Sequence, residues 1–196
     1  MINELQSKFL ITSGWVQSME KNQCLNGNGE FIPWYNYSVI DFLNEKLTQE
    51  MSVFEFGCGY STLFYAKRCG RVYSVDAKKD WIIKIENELL IKKYTNAEIF
   101  LIENNFSESI DKVEEKFDII AIDSEDRFAC SITAYYNLAK NGIIILDNSE
   151  RENYVVIFDF FYERGFKSLT FTGIGSLRYE KSSTTIFYRT NNIFNI

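Results

Sequence analysis

The sequence predicts an α/β fold, a three-layer αβα sandwich built on a mostly parallel sheet. Three observations predict it. Short apolar runs of strand length alternate five times with helix-length amphipathic stretches between residues 51 and 163. The runs are almost continuously apolar, as expected of strands covered on both faces. Two further strand-like runs close the chain, too near each other for a crossover helix, so they should pair antiparallel.

The elements follow in order. Residues 3–20 form a helix, and the Gly- and Asn-rich stretch CLNGNGEFIPWY, which holds the one proline, Pro33, forms a loop. Residues 37–47 form a second helix with Ile40, Leu43 and Leu47 on one face. MSVFEF (51–56) is the first strand, and 61–69 a short helix with Ser61 or Thr62 near its cap. RVYSVD (71–76) is the second strand, followed by a helix over 79–93 with Trp81, Ile82, Ile85 and Leu89 aligned. EIFLI (98–102) is the third strand, with a short helix at 106–115; FDIIAID (117–123) is the fourth. A helix over 127–140 turns Phe128, Ile132, Tyr135 and Ala139 inward. GIIILD (142–147) is the fifth strand, a helix covers 151–163, and strands at 166–173 and 183–189 end the chain. The division is an N-terminal helical and lid segment, 1–49, on a ligand-binding domain, 50–196, within one domain overall.

Composition narrows the function. The 196 residues, 46% hydrophobic and 24% charged, are ordinary globular usage. A net charge of -6 without basic runs argues against a nucleic-acid partner. No apolar stretch approaches the roughly 20 residues needed to span a bilayer, and the polar N-terminus does not resemble a signal peptide. Four cysteines (Cys24, Cys58, Cys69 and Cys130) form no C-x-x-C pair, which fits a cytoplasmic location better than a disulfide framework. With no histidine, Ser-His-Asp and Cys-His catalysis are excluded.

In a doubly wound sheet, ligands bind beyond the carboxyl ends of the strands, where strand order reverses. The polar residues gather there. Glu55-Phe56-Gly57-Cys58-Gly59-Tyr60-Ser61-Thr62 follows the first strand and opens a helix, and its glycines permit a tight turn and close approach of a ligand to the backbone. Asp76 ends the second strand, where a carboxylate can accept both hydroxyls of a ribose. That contact serves a dinucleotide equally well. However, Thr62 replaces the third glycine of G-x-G-x-x-G, and Glu55 would repel a pyrophosphate while favouring a sulfonium and an ammonium. These features point to S-adenosylmethionine (SAM).

The segment VFEFGCGYSTLFYAKRCGRVYSVD resembles motif I and the following acidic strand of class I SAM-dependent methyltransferases, and FDIIAIDSEDR and GIIILDNSE extend the likeness over residues 50–190. The resemblance implies a seven-stranded sheet ordered 3-2-1-4-5-7-6 with the last strand antiparallel. It implies that Glu55, Gly57 and Gly59 line the methionine part, that Ser61 and Thr62 also bind the cofactor, that Asp76 binds the ribose, and that Ala77, Asn105 and Phe106 meet the adenine. Asp123, Asp147 and Asn148 fall at the methyl-donor end. As hard oxygen donors they could hold a divalent cation such as magnesium, and in that respect they are similar to catechol-type O-methyltransferases. The lysine that those enzymes carry after the strand-four aspartate is absent: Ser124, Glu125 and Asp126 stand there. The same residues look equally like methyltransferases of glycan assembly, in which Asp123 would act without metal. Asp147-Asn148 has a plainer reading as a helix cap, and Asp126-Arg127 as a helix-start ion pair.

Phe31, Trp34, Tyr35 and Tyr37 form a candidate lid, and Arg178, in the loop between the last two strands, could meet an anionic acceptor. The function expected is methyl transfer to oxygen on a small molecule or glycan, and a homo-oligomer is compatible with it. The alternatives are a non-catalytic SAM-binding protein and an NAD-dependent dehydrogenase, for which Tyr136 and Lys140 have the Tyr-x-x-x-Lys spacing.

Overall fold

Continuous apolar runs in the middle of the chain become the strands of one sheet, because each must be covered on both faces. A computed structural model describes residues 4–196, with side chains from residue 8. The strands are β1 (Ser52–Phe56), β2 (Arg71–Asp76), β3 (Ala97–Leu101), β4 (Phe117–Ile122), β5 (Leu138–Asp147), β6 (Lys167–Ile174) and β7 (Lys181–Tyr188). They form a seven-stranded sheet in the order β3-β2-β1-β4-β5-β7-β6. All pairings from β3 to β5 are parallel, and β7 runs antiparallel to both β5 and β6. The sheet order and the antiparallel closing pair match the expectation.

The helices are α1 (Glu4–Thr12), α2 (Trp15–Lys21), α3 (Tyr37–Lys46), α4 (Tyr60–Arg68), α5 (Lys79–Lys92), α6 (Arg127–Asn137) and α7 (Val155–Tyr162). A 3-10 turn, Phe106–Lys112, stands where a short helix over 106–115 was expected, and another, Glu152–Tyr154, opens the helix expected over 151–163 and leads into α7. The single helix expected over 3–20 is broken in two at Gly14. This residue has φ +88°, and a side chain there would lie 2.3 Å from the Asn26 backbone.

Strand alternation divides the core. Val53, Ile119, Ala121, Ile143 and Ile145 face α3, α4 and α5 together with Tyr35, Val39 and Leu43. Phe54, Phe56, Ile120, Ile122, Ile144 and Leu146 face α6 and α7. The period of two then fixes which way the polar ends point. Glu55, Asp123 and Asp147 continue the first set, on the face covered by the N-terminal segment.

The inward face of α6 differs from the one expected. Arg127, Cys130, Ser131 and Ala134 are buried, while Phe128 is exposed. The helix ends at Asn137, and β5 takes the chain from Leu138. An aromatic stripe suggested one face, but the buried position at the helix start belongs to an arginine. Among the described residues, no helix is long and apolar enough to cross a membrane.

Candidate functional site

The glycine turn connects β1 to α4 and is fixed from three sides. Gly57 has φ +100°, and an added Cβ would lie 2.3 Å from the Asp123 carbonyl oxygen, so the turns after β1 and β4 touch and only glycine fits. Gly59 is different. A Cβ there would meet only ordinary contacts, the nearest at 3.5 Å, so the protein itself does not require glycine at that position. The Thr62 hydroxyl accepts the Gly59 N–H (3.0 Å) and donates to Glu55 Oε2 (2.5 Å). The Trp81 indole N–H donates to the Cys58 carbonyl (2.7 Å), so a residue expected only to pack also holds the turn.

Glu55 is fully buried, and Oε2 also accepts from Ser74 (2.7 Å). Its other oxygen, Oε1, has no partner among the described residues. Burial pushes its carboxyl up to about 7, against the opposing hydroxyls of Ser61, Thr62 and Ser74, of which only Thr62 and Ser74 make a hydrogen bond to it. Asp76, at the end of β2, is partly exposed. One of its oxygens accepts the Lys78 N–H (2.8 Å), and burial raises its carboxyl above the ordinary value. Ala77 and Asn105 are exposed beside it at the same end of the sheet, and Phe106 is partly buried against Phe56. Asn105 adopts a left-handed conformation, φ +53°, at the start of the 3-10 turn. Ser61 is buried in the first turn of α4.

Across β4 and β5 the organising side chain is Arg127, which sequence reading assigned to a surface pair with Asp126. Asp126 instead caps α6 by accepting the Ala129 N–H. Arg127 is 5% exposed and stretches across the strand ends. Its Nε donates to the Ser124 carbonyl (2.8 Å), and Nη1 donates to the Asp147 carbonyl. Its Nη2 donates to Asp123 Oδ1 (2.7 Å) and to Asn148 Oδ1 (3.2 Å). The i,i+4 spacing of Asp123 and Arg127 was the only signal in the sequence.

Asp147 is buried and turns its carboxylate toward β7, where Thr184 donates to it (2.7 Å). Burial, and then the charge of Asp123, raise its carboxyl well above the ordinary range. Asn148 is not a helix cap. It sits at φ +49° in the turn after β5 and also accepts from Arg151 (3.1 Å).

These contacts correct the expectation of a divalent cation at Asp123, Asp147 and Asn148. The guanidinium of Arg127 already lies between Asp123 and Asn148, and Asp147 is engaged elsewhere. A metal ion on the same oxygens would face a fixed positive charge at hydrogen-bond distance. Among the described residues, no cluster of His, Cys, Asp or Glu is arranged to hold a metal.

The lid residues divide. Trp34 is 48% exposed, whereas Tyr35 is fully buried with its hydroxyl 3.5 Å from that of Tyr65. Tyr37 opens α3 and packs edge-on against Phe9, and Phe31 stacks on Tyr60. Arg178 lies over the Trp34 ring at 5.3 Å. The dehydrogenase pair does not reach the site. Tyr136 is exposed at the end of α6, and Lys140 lies near the start of β5, at the end of the strands opposite the site.

No protein-family model and no curated protein matches the sequence. Solved structures do match. The O-methyltransferase TomG from Streptomyces achromogenes, in complex with SAM, aligns over 95% of this chain and 90% of its own at 13% identity, with TM-score 0.67. A putative O-methyltransferase from Klebsiella pneumoniae aligns over 92% and 89% at 14% identity, with TM-score 0.64. An rRNA methylase from Streptococcus thermophilus aligns over 76% and 92% at 19% identity, with TM-score 0.60. The sheet order, the glycine turn and these likenesses together show that the chain has the class I SAM-dependent methyltransferase fold.

Proposed function

We propose that the protein transfers a methyl group from SAM to an oxygen of a small molecule or glycan. The observation that carries this reading is the pair Gly59 and Glu55: a glycine that the protein does not itself need, beside a buried carboxylate with one oxygen unpaired. Gly59 is buried, but the space its missing side chain leaves lets a ligand approach the backbone, and the free oxygen of Glu55 suits a cation, as the amino-acid end of SAM would supply. In this reading Gly57, Gly59 and Ser61 line the methionine part and Thr62 acts by holding Glu55 and the turn. Asp76 takes the ribose, and Ala77, Asn105 and Phe106 take the adenine.

SAM supplies an activated methyl on a sulfonium, so the protein's tasks are positioning and exclusion of water. Arg127 occupies Oδ1 of Asp123 and leaves the second oxygen to accept a hydrogen bond from the acceptor hydroxyl. Asp147 and Asn148 stand behind it, the first holding β7 through Thr184 and the second sharing Arg127. Trp34, with Tyr37 near it, closes the acceptor side, and buried Tyr35 supports that wall.

Calorimetry with SAM before and after Asp76→Ala tests the cofactor assignment. Charge-assisted hydrogen bonds of about 1.5–3 kcal/mol would be lost, so affinity should fall at least roughly tenfold. Unchanged affinity would overturn it.

A further inference from the structure

The turn between β6 and β7 carries donors that lack a partner. Ser176 Oγ and Arg178 Nε in the turn, and Ser182 Oγ at the start of β7, are all buried, and none makes a hydrogen bond among the described residues. Orphaned buried polar atoms are rare in native structures, and two in one turn with a third beside it call for an explanation. Ser176 faces the thiol of Cys24, which is a poor partner. Arg178 takes part in none of the ion pairs among the described residues.

The chemistry of the missing partner can be read from these groups. A guanidinium only donates, and hydroxyls donate readily, so the partner is an acceptor. Opposite an arginine it is an oxyanion. The turn also stands beside the proposed acceptor end. Gly175 bridges to Asn36, and Asn36 donates to Thr184, which in turn donates to Asp147. The thiol of Cys24 lies in the fields of both Arg178 and Asp123. Trp34, half exposed beneath the Arg178 guanidinium, offers an apolar wall next to that charge.

We propose that Arg178, with the Ser176 hydroxyl and the face of Trp34, forms a subsite for a carboxylate or phosphate group carried by the acceptor. The proposal deepens the methyltransferase reading and rests on it for the word acceptor. The oxyanion site itself does not depend on turnover.

The three tryptophans make both ideas testable in one spectrum. The Trp81 indole N–H is bonded to the glycine turn and the Trp15 indole N–H to the Arg178 carbonyl (2.9 Å), while Trp34 lies under the guanidinium. In protein labelled with 15N at the indoles, S-adenosylhomocysteine should shift Trp81. Added benzoate or phenyl phosphate should then shift Trp34 and Trp15 saturably, and neutral benzamide should not. The stronger of the two anions identifies carboxylate or phosphate as the group bound. Arg178→Gln should abolish the anion response, and Arg178→Lys should weaken it by roughly tenfold, because the planar fork is lost while the charge stays. Ser176→Ala, which leaves Arg178 in place, should weaken it severalfold. An equal response to benzamide, no response to either anion, or a response that survives in folded Arg178→Gln would overturn the subsite. A Trp81 signal unmoved by S-adenosylhomocysteine would instead count against the cofactor reading and leave the anion result standing on its own.

Discussion

Replacing Arg127 by methionine is expected to destabilise the protein by about 3 kcal/mol, the lower end of the cost of removing one partner from a buried ion pair, because Arg127 is buried while the Asp123 side chain is 29% exposed. In a chain of this size that is a fall on the order of 10 °C in Tm. The cause is specific. Without the guanidinium, Asp123 loses its ion-pair partner, and the carbonyls of Ser124 and Asp147 lose their side-chain donor. Methionine fills a similar volume, so the loss reports hydrogen bonds and charge more than packing. Arg127→Lys should recover only part of it, since an ammonium cannot span Ser124, Asp123, Asp147 and Asn148 together. A double-mutant cycle with Asp123→Asn should show coupling of about 1–3 kcal/mol. Additive effects, or a loss under about 1 kcal/mol, would mean that Arg127 behaves as a surface residue. Because the fixed charge replaces a metal, chelator treatment should leave wild-type stability unchanged.

Arg127 also marks where sequence reading stopped. The strand ends were legible because each apolar run terminates in a polar residue: Asp76, Asp123 and Asp147 needed no tertiary information. Gly57 was legible as a turn, although its reason, contact with the Asp123 carbonyl, is a meeting of two strands far apart in sequence. Arg127 follows an aspartate at a helix start, which locally means solvent. Its burial comes from the ends of β4 and β5 lying side by side, a long-range fact. The displaced face of α6 is the same fact seen from the helix, since the buried position taken by Arg127 leaves Phe128 outside. Tyr35 was grouped with Trp34 because both precede the first strand, but over residues 32–36 Trp34 is exposed and its neighbours are buried. The shared face of Glu55, Asp123 and Asp147 could have been read from strand alternation alone.

Glu55→Gln should make the ligand-free protein more stable and a poorer binder of SAM. Glu55 has an ordinary value of 4.5, raised by burial to about 7 in the folded chain. Between those values the folded state holds a proton that the unfolded state has released. Stability from this group is therefore complete below about 4.5 and is lost as pH rises through about 7. The loss amounts to about 3 kcal/mol for a shift of this size. Glutamine does not titrate. Its oxygen can still accept from Thr62 and Ser74, and its amide occupies the place of the unpaired Oε1. Denaturation curves should show the variant gaining on wild type as pH rises, by on the order of 2–3 kcal/mol above neutrality. The cofactor should reverse this order. A cation placed at Oε1 favours the carboxylate, so SAM binding to wild type just below neutral pH should release a proton. Calorimetry in buffers of different ionisation enthalpy would detect that release. Glu55→Gln should release none and bind SAM at least roughly tenfold more weakly. A glutamine variant that binds SAM as tightly as wild type would separate Glu55 from the cofactor and leave it a purely structural group. A carboxylate that costs stability until its ligand arrives is instead what a binding site retains against the interest of the fold.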